Sequence, residues 1–225
     1  MAFGDIRGTL QVAANSITNP TNLAGSVAVQ VGDLVFVAVG EQTALTATGA
    51  TSSFVTTYAA TNAGLDAGTV TGRAFWGRVT SAGTLTQISV AATASGDNVS
   101  AVAVVFEGPF TSSPLDANPA LVEDITSSFS APASGTLAQA DELIVTWAVN
   151  GVAGVWTATS PNVKRVELAT QTVLTTKIGS WVVAATTTVT PAWTGTNPTD
   201  SVLGTNSFKK DLTTFNNKPQ MFAVL

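Results

Sequence analysis

The acidic residues Asp33, Glu41, Glu107, Glu123, Asp124, Asp141, Glu142 and Glu167 are the side chains of this sequence best suited to chemistry. Two suitably placed carboxyl groups suffice for glycoside hydrolysis, one as acid and the other as base or nucleophile. The sequence has no His and no Cys. That removes the commonest general base, the commonest metal ligand and the thiolate nucleophile. With them go the usual Ser-His-Asp triad and the usual zinc and non-haem iron sites. Sandwich-fold glycosidases often carry two acids alternating on one strand, whereas these acids mostly flank turns or strand ends. There they serve solvation and turn hydrogen bonding. No catalytic residue is assigned, and the chain reads as a non-enzyme.

Calcium is the metal that suits Asp, Asn and backbone oxygens. The stretches SGDNVS (95–100) and LDANP (115–119) supply those ligand types without a dense loop of alternating acids. Both read as turns, and neither a metal nor a cofactor is expected.

Aromatic rings offer a different chemistry, stacking on a sugar. Trp147 shares parity with Leu143, Val145 and Val149 and is expected in the core. Phe75 and Trp76 are adjacent, so on a strand one faces inward and the other outward. Tyr58, Trp156, Trp181 and Trp193 lie near turns or strand ends and could form a glycan-stacking platform. Core packing is the competing reading for each of them, because large aromatics dominate core energetics.

The elements that would hold these groups are strands. Only 10% of the 225 residues are charged and 45% are hydrophobic, the opposite of a disordered composition. Thr, Val and Gly, which are weak helix formers, stand where Glu, Lys and Arg usually stand. Period-two patterning recurs at Val27–Val31, Val70–Val79, Leu85–Ala92, Val99–Glu107, Leu143–Asn150, Val163–Leu168 and Trp181–Val189. Turn-rich pieces separate them: SAGT (81–84), SGDN (95–98), GPFTSSPLDANP (108–119) and TGTNPTD (194–200). Many short strands at this spacing predict an all-β fold, an antiparallel sandwich of jelly-roll-like type. The run VGDLVFVAVGEQ (31–42) reads as a central strand. A dinucleotide fold would need a glycine-rich loop and a helix after it, and EQTALTATGATSS supplies neither. Residues Val35, Phe36, Val37, Val104, Val145 and Trp147 are expected to be buried.

SVAVQVGDLVFVAVG (26–40) and SGTLAQADELIVTWAVNG (134–151) echo each other, each placing an acid before Leu and an apolar strand. With no second matched element in the sequence, one sandwich domain is expected over residues 1–207. The segment 208–225 changes character, holds three of the five Lys and ends in apolar residues. It is either an edge strand of its own domain or an arm docking on a neighbour through Phe215, Met221, Phe222 and Leu225.

The net charge of −5 argues against a nucleic-acid partner. No apolar run approaches the roughly 18 residues of a membrane span. Asp5 interrupts any apolar core of a signal peptide, so no secretion signal is read.

The motifs VGDLVFVAVGE, AFWGRVTSAGTLTQISVAATAS, SAVAVVFEGPF and ADELIVTWAVNG, in that order, resemble β-sandwich modules of tailed-bacteriophage virion proteins. The resemblance covers about residues 26–110 and more loosely 138–208. It implies a structural or adhesive module with no catalytic residues. A decoration, head-fibre, neck or tail component would be made in the host cytoplasm, join the virion through other virion proteins and form a homo-oligomer. The alternative is a carbohydrate-binding adhesin that recognises host surface glycans.

Overall fold

The computed structural model describes residues 2–14, 19–42, 47–62, 64–68, 70–91, 98–124, 128–151, 156–160, 165–171, 174–195 and 200–213. Its first nine strands are β1 (Ile6–Ala14), β2 (Thr21–Val29), β3 (Leu34–Gln42), β4 (Gly49–Thr51), β5 (Ala59–Ala60), β6 (Leu65–Asp66), β7 (Val70–Arg78), β8 (Gly83–Ala91) and β9 (Val99–Phe106). The second nine are β10 (Phe110–Leu115), β11 (Val122–Asp124), β12 (Ser128–Ser130), β13 (Glu142–Asn150), β14 (Trp156–Ser160), β15 (Arg165–Gln171), β16 (Leu174–Val183), β17 (Ala192–Gly195) and β18 (Ser201–Lys210). All described pairings are antiparallel, and the fold is an all-β sandwich. No helix among the described residues is long and apolar enough to cross a membrane.

One sheet runs β4-β8-β2-β1-β9-β3-β7-β5, with β6 also on β7. A second runs β10-β18-β13-β16-β15, with β11 also on β18, and a third runs β12-β17-β14. Strand β3, which carries the apolar run, is a central strand buried on both faces. Val35, Val37 and Val39 enter a core with Leu10, Leu23, Val27, Leu85 and Ile88, where β1, β2 and β8 curl over β9, β3 and β7. Leu34, Phe36 and Ala38 enter a second core, facing Leu143, Val145, Trp147 and Val149 of β13. Strand β13 is likewise covered twice. Its Ile144 and Ala148 face smaller clusters that hold Trp181 and Trp193. Strands in such positions need apolar residues at every step, which is why their sequences lack alternation. All six residues expected to be buried are fully buried.

The echo between 26–40 and 134–151 extends to the whole frame. Leu34 pairs with Phe106 and Arg78, and Leu143 pairs with Phe208 and Val182. Ile6 pairs with Phe106 as Leu115 pairs with Phe208. Val90 is flanked by Thr21 and Ala50 as Ala192 is flanked by Ser130 and Ser160. The order β1-β9-β3-β7-β5 thus recurs as β10-β18-β13-β16-β15, and β4-β8-β2 recurs as β14-β17-β12. The chain holds two strand sets of one design, joined between Phe106 and Phe110.

The two sets meet through the same face of each, as the subunits of a twofold dimer do. Gly40 packs on Val149, its own counterpart. A Cβ on Gly72 would stand 2.8 Å from Val202, and at the counterpart positions Thr176 Oγ1 donates to Ser100 O at 2.7 Å. The contact layer therefore has approximate twofold symmetry within a single chain.

Several details differ from the sequence expectations. Val31 is 58% exposed, because Gly32, at φ +94°, turns the chain there and ends the β2 alternation two residues earlier. The strand expected over Trp181–Val189 ends at Val183. The turn-rich 108–119 contains β10. Strand β18 runs through the expected boundary at 207/208 to Lys210, and Phe208 is fully buried. Phe75 and Trp76 both point toward packed layers, Phe75 into the first core and Trp76 against the second, since this sheet is covered on both sides.

Candidate functional site

The acids converge on two equivalent turns. At the first, Gln30 N–H donates to Asp33 Oδ2 (2.8 Å) and Gly108 N–H donates to Asp33 Oδ1 (2.9 Å). A β-bulge between Ile6 and Gly8 lies where Arg7 reaches this turn, and bulges commonly re-aim a side chain. Arg7 Nε stands 2.7 Å from Asp33 Oδ2, off the axis of a good hydrogen bond, and Arg7 Nη2 donates to Glu107 Oε1 at 3.0 Å. Asp33 and Glu107 thus share one guanidinium.

At the second turn Gln139 N–H donates to Glu142 Oε1 (3.0 Å), with Asp141 at φ 58° where the first turn has Gly32. Glu142 replaces Asp33, Asp116 replaces Arg7 and Lys209 replaces Glu107. The charges have been exchanged: Lys209 Nζ lies 3.5 Å from Asp116 Oδ1, and Asp116 Oδ2 accepts from Ala138 N–H at 2.9 Å. Glu142 is fully buried, and its Oε2 has no hydrogen-bond partner. Burial pushes its carboxyl above the usual glutamate range. The Gln139 amide opposes this, and the Asp116 carboxylate adds to it. Chemically, this pair can hold a proton, and its burial leaves no room for a substrate.

The remaining acids are spread out. Glu41 is buried, Glu123 is exposed, and Asp141 Oδ2 lies 3.8 Å from Lys210 Nζ. The side chains of Asp124 and Glu167 lie outside the described residues. Among the described residues no group of three or more acids could hold a metal ion. In LDANP, Asp116 serves the second turn and Asn118 Oδ1 accepts from Asn206 Nδ2 at 2.8 Å. Residues 95–97 of SGDNVS lie outside the described residues.

The proposed stacking aromatics are not brought together. Trp193 is fully buried and its Nε1 donates to Thr146 Oγ1 at 3.0 Å. Trp181 is 5% exposed within a separate cluster. Neither ring presents a face to solvent. Tyr58 packs on the core of the first strand set, with its hydroxyl 3.1 Å from Ser52 Oγ and its pKa pushed up to about 12 by burial. The side chain of Trp156, and Phe215, Met221, Phe222 and Leu225, lie outside the described residues.

Sequence reasoning passed over a different aromatic. Trp76 and Arg78, two residues apart on β7, line one side of a groove of about 270 Å³. The groove is also lined by Thr56, Thr57, Thr80 and, from the second strand set, Ser112. Arg78 Nε donates to Phe110 O at 2.9 Å, which fixes the guanidinium at the junction of the two sets. The Trp76 ring meets Phe208 edge-on, with centroids 6.0 Å apart, and stays partly exposed. The available signal was the Trp-x-Arg spacing within one strand, which puts both side chains on one face.

A second surface carries no charge. The exposed residues of β2 are Asn22, Ala24, Gly25, Ser26 and Ala28, and those of β8 are Thr84, Thr86, Gln87 and Ala91. Gln87 Nε2 and Ser89 Oγ both donate to Asn22 Oδ1, at 3.0 and 2.7 Å, tying the two strands across this face. No family model, curated protein or solved structure matches the chain.

Proposed function

We propose that the chain is a non-catalytic structural component of a tailed-phage virion, a decoration, head-fibre, neck or tail protein held by protein–protein contacts. The observation that carries this reading is the uncharged face of β2 and β8. A face left in water normally carries Lys and Glu, and an interface core is depleted of them. A neighbouring virion subunit is the partner this surface suits. The engagement of Asp33, Glu107 and Asp116 in ion pairs at turns supports a structural role over a hydrolytic one. So does the position of the resembling motifs, which fall on β3, on β7 and β8, on β9 and on β13.

The test places charge on that face. Ala24 and Thr86 are exposed, so Ala24→Glu with Thr86→Glu leaves packing intact. The double variant is expected to melt within a few degrees of the parent and to lose co-sedimentation with particles. Unchanged co-sedimentation would remove this face from the assembly.

A further inference from the structure

We propose that the groove over Trp76 and Arg78 binds a carboxylate-bearing sugar. The proposal stands apart from the assembly role and uses a different surface. Three kinds of group meet there: a partly exposed indole, a guanidinium, and the hydroxyls of Thr56, Thr57, Thr80 and Ser112. The indole offers an apolar face to the C–H side of a pyranose ring. The Thr56 and Thr80 hydroxyls lie 2.9 Å apart and Thr80 Oγ1 donates to Phe54 O at 3.3 Å, so these two offer a ligand mainly acceptor capacity. A Thr57 or Ser112 hydroxyl can both donate and accept, as sugar hydroxyls require. Guanidinium groups match carboxylates with paired N–H donors. Among the described residues Arg78 is the one charged residue lining the groove, and the Asp211 carboxylate interacts with it from outside that lining. Its orientation is set in advance by the Phe110 carbonyl. The volume, about 270 Å³, is near the lower end of small-ligand sites, roughly 300 Å³.

The duplicated frame supplies a control for this reading. The counterparts of Trp76 and Arg78 in the second strand set are Ser180 and Val182, both turned to packing. The frame therefore folds without an indole and a guanidinium at these places. In the first set Trp76 also packs on Phe208 and Arg78 also bonds the Phe110 carbonyl, but the shared frame does not itself require these two side-chain types. An acidic peptide could satisfy Arg78 and pair its backbone with the hydroxyls, but it lacks the flat C–H face that a pyranose presents to the indole, so a sugar acid is the better fit.

The experiment titrates the full chain with a glucuronate-containing tetrasaccharide, following the Trp76 indole N–H by nuclear magnetic resonance. Its carboxyl-reduced form, maltotetraose and a tetraglutamate peptide are titrated in parallel. The acidic sugar is expected to shift the Trp76 signal, and the reduced form to bind roughly tenfold more weakly or worse, the loss of one charge-assisted pair. Arg78→Gln should give a similar loss. Thr80→Trp, at an exposed position, should block the groove without unfolding the chain, and it decides the matter where Arg78→Gln lowers the melting temperature. Absence of binding by the acidic sugar at millimolar concentration would overturn the proposal. So would equal binding of the reduced form, tighter binding of the peptide, or binding that survives Thr80→Trp.

Discussion

Gly40 and Val149 occupy the same position in the two strand sets and pack against each other across the shared apolar layer. A Cβ on Gly40 would overlap Val149 Cγ1 and press on Thr176 Oγ1. Gly40→Ala is therefore expected to cost about 1–3 kcal/mol through overpacking. Adding Val149→Ala should recover part of that loss, giving a non-additive double-mutant cycle in denaturant unfolding. Additive losses would mean that the two residues do not meet.

Trp147 lies in the same layer, with its Nε1 donating to Asn206 Oδ1 at 3.3 Å and Gly204 making room for the ring. Trp147→Ala should cost on the order of 3–5 kcal/mol, because a large side chain leaves a cavity that the two sheets cannot close. Equilibrium unfolding measures this. A loss well under 1 kcal/mol would show that the layer is not packed as described.

Glu142 makes stability depend on pH. Its folded pKa is raised, so the folded state holds the proton more tightly than the unfolded state. The resulting stabilisation is present in full below the unfolded value, about 4.3, and is lost as pH rises through the folded value. Glu142→Gln keeps an oxygen for the Gln139 amide and removes the titration. The variant is expected to lose this pH dependence and to be more stable than the parent at pH 8, as read by melting temperature across a pH series. A variant less stable than the parent at pH 8 would show that the ionised carboxylate is the form the fold prefers.

Much of the fold can be read in the sequence because β3 and β13 are covered on both faces and consist of near-continuous apolar residues. Gln30-Val31-Gly32-Asp33-Leu34 and Gln139-Ala140-Asp141-Glu142-Leu143 even show the shared turn, since a carboxylate three residues on must accept the Gln amide. The rest of the duplication is hidden because strand register is set by backbone hydrogen bonds, which do not dictate side-chain identity. Val149 stands for Gly40, Ser180 for Trp76, and Asp116 with Lys209 for Arg7 with Glu107. In that last exchange both partners changed sign and the pairing survived. Trp181 and Trp193 misled as candidates for stacking because proximity to a strand end in sequence does not fix exposure. Trp193, on β17, packs with Ala148 and Leu203, and Trp181 packs with Leu137, Ile144 and Val189.

Beyond Lys210 the chain continues through Asp211, Leu212 and Thr213, with Leu212 51% exposed and Asp211 Oδ1 accepting from Thr213 N–H. If Phe215, Met221, Phe222 and Leu225 dock on a neighbour, deleting residues 212–225 should leave the melting temperature nearly unchanged and abolish oligomers and particle binding. Size-exclusion chromatography and co-sedimentation read this out. Unchanged association with a large fall in melting temperature would assign the tail to its own domain's core.

The assembly reading faces its most direct test in electron microscopy of purified particles carrying a gold-labelled version of this chain. Label at a fixed location on the particle, in a copy number matching the local symmetry, is the predicted result. Particles without label, while the protein remains in the soluble fraction of the same lysate, would contradict it.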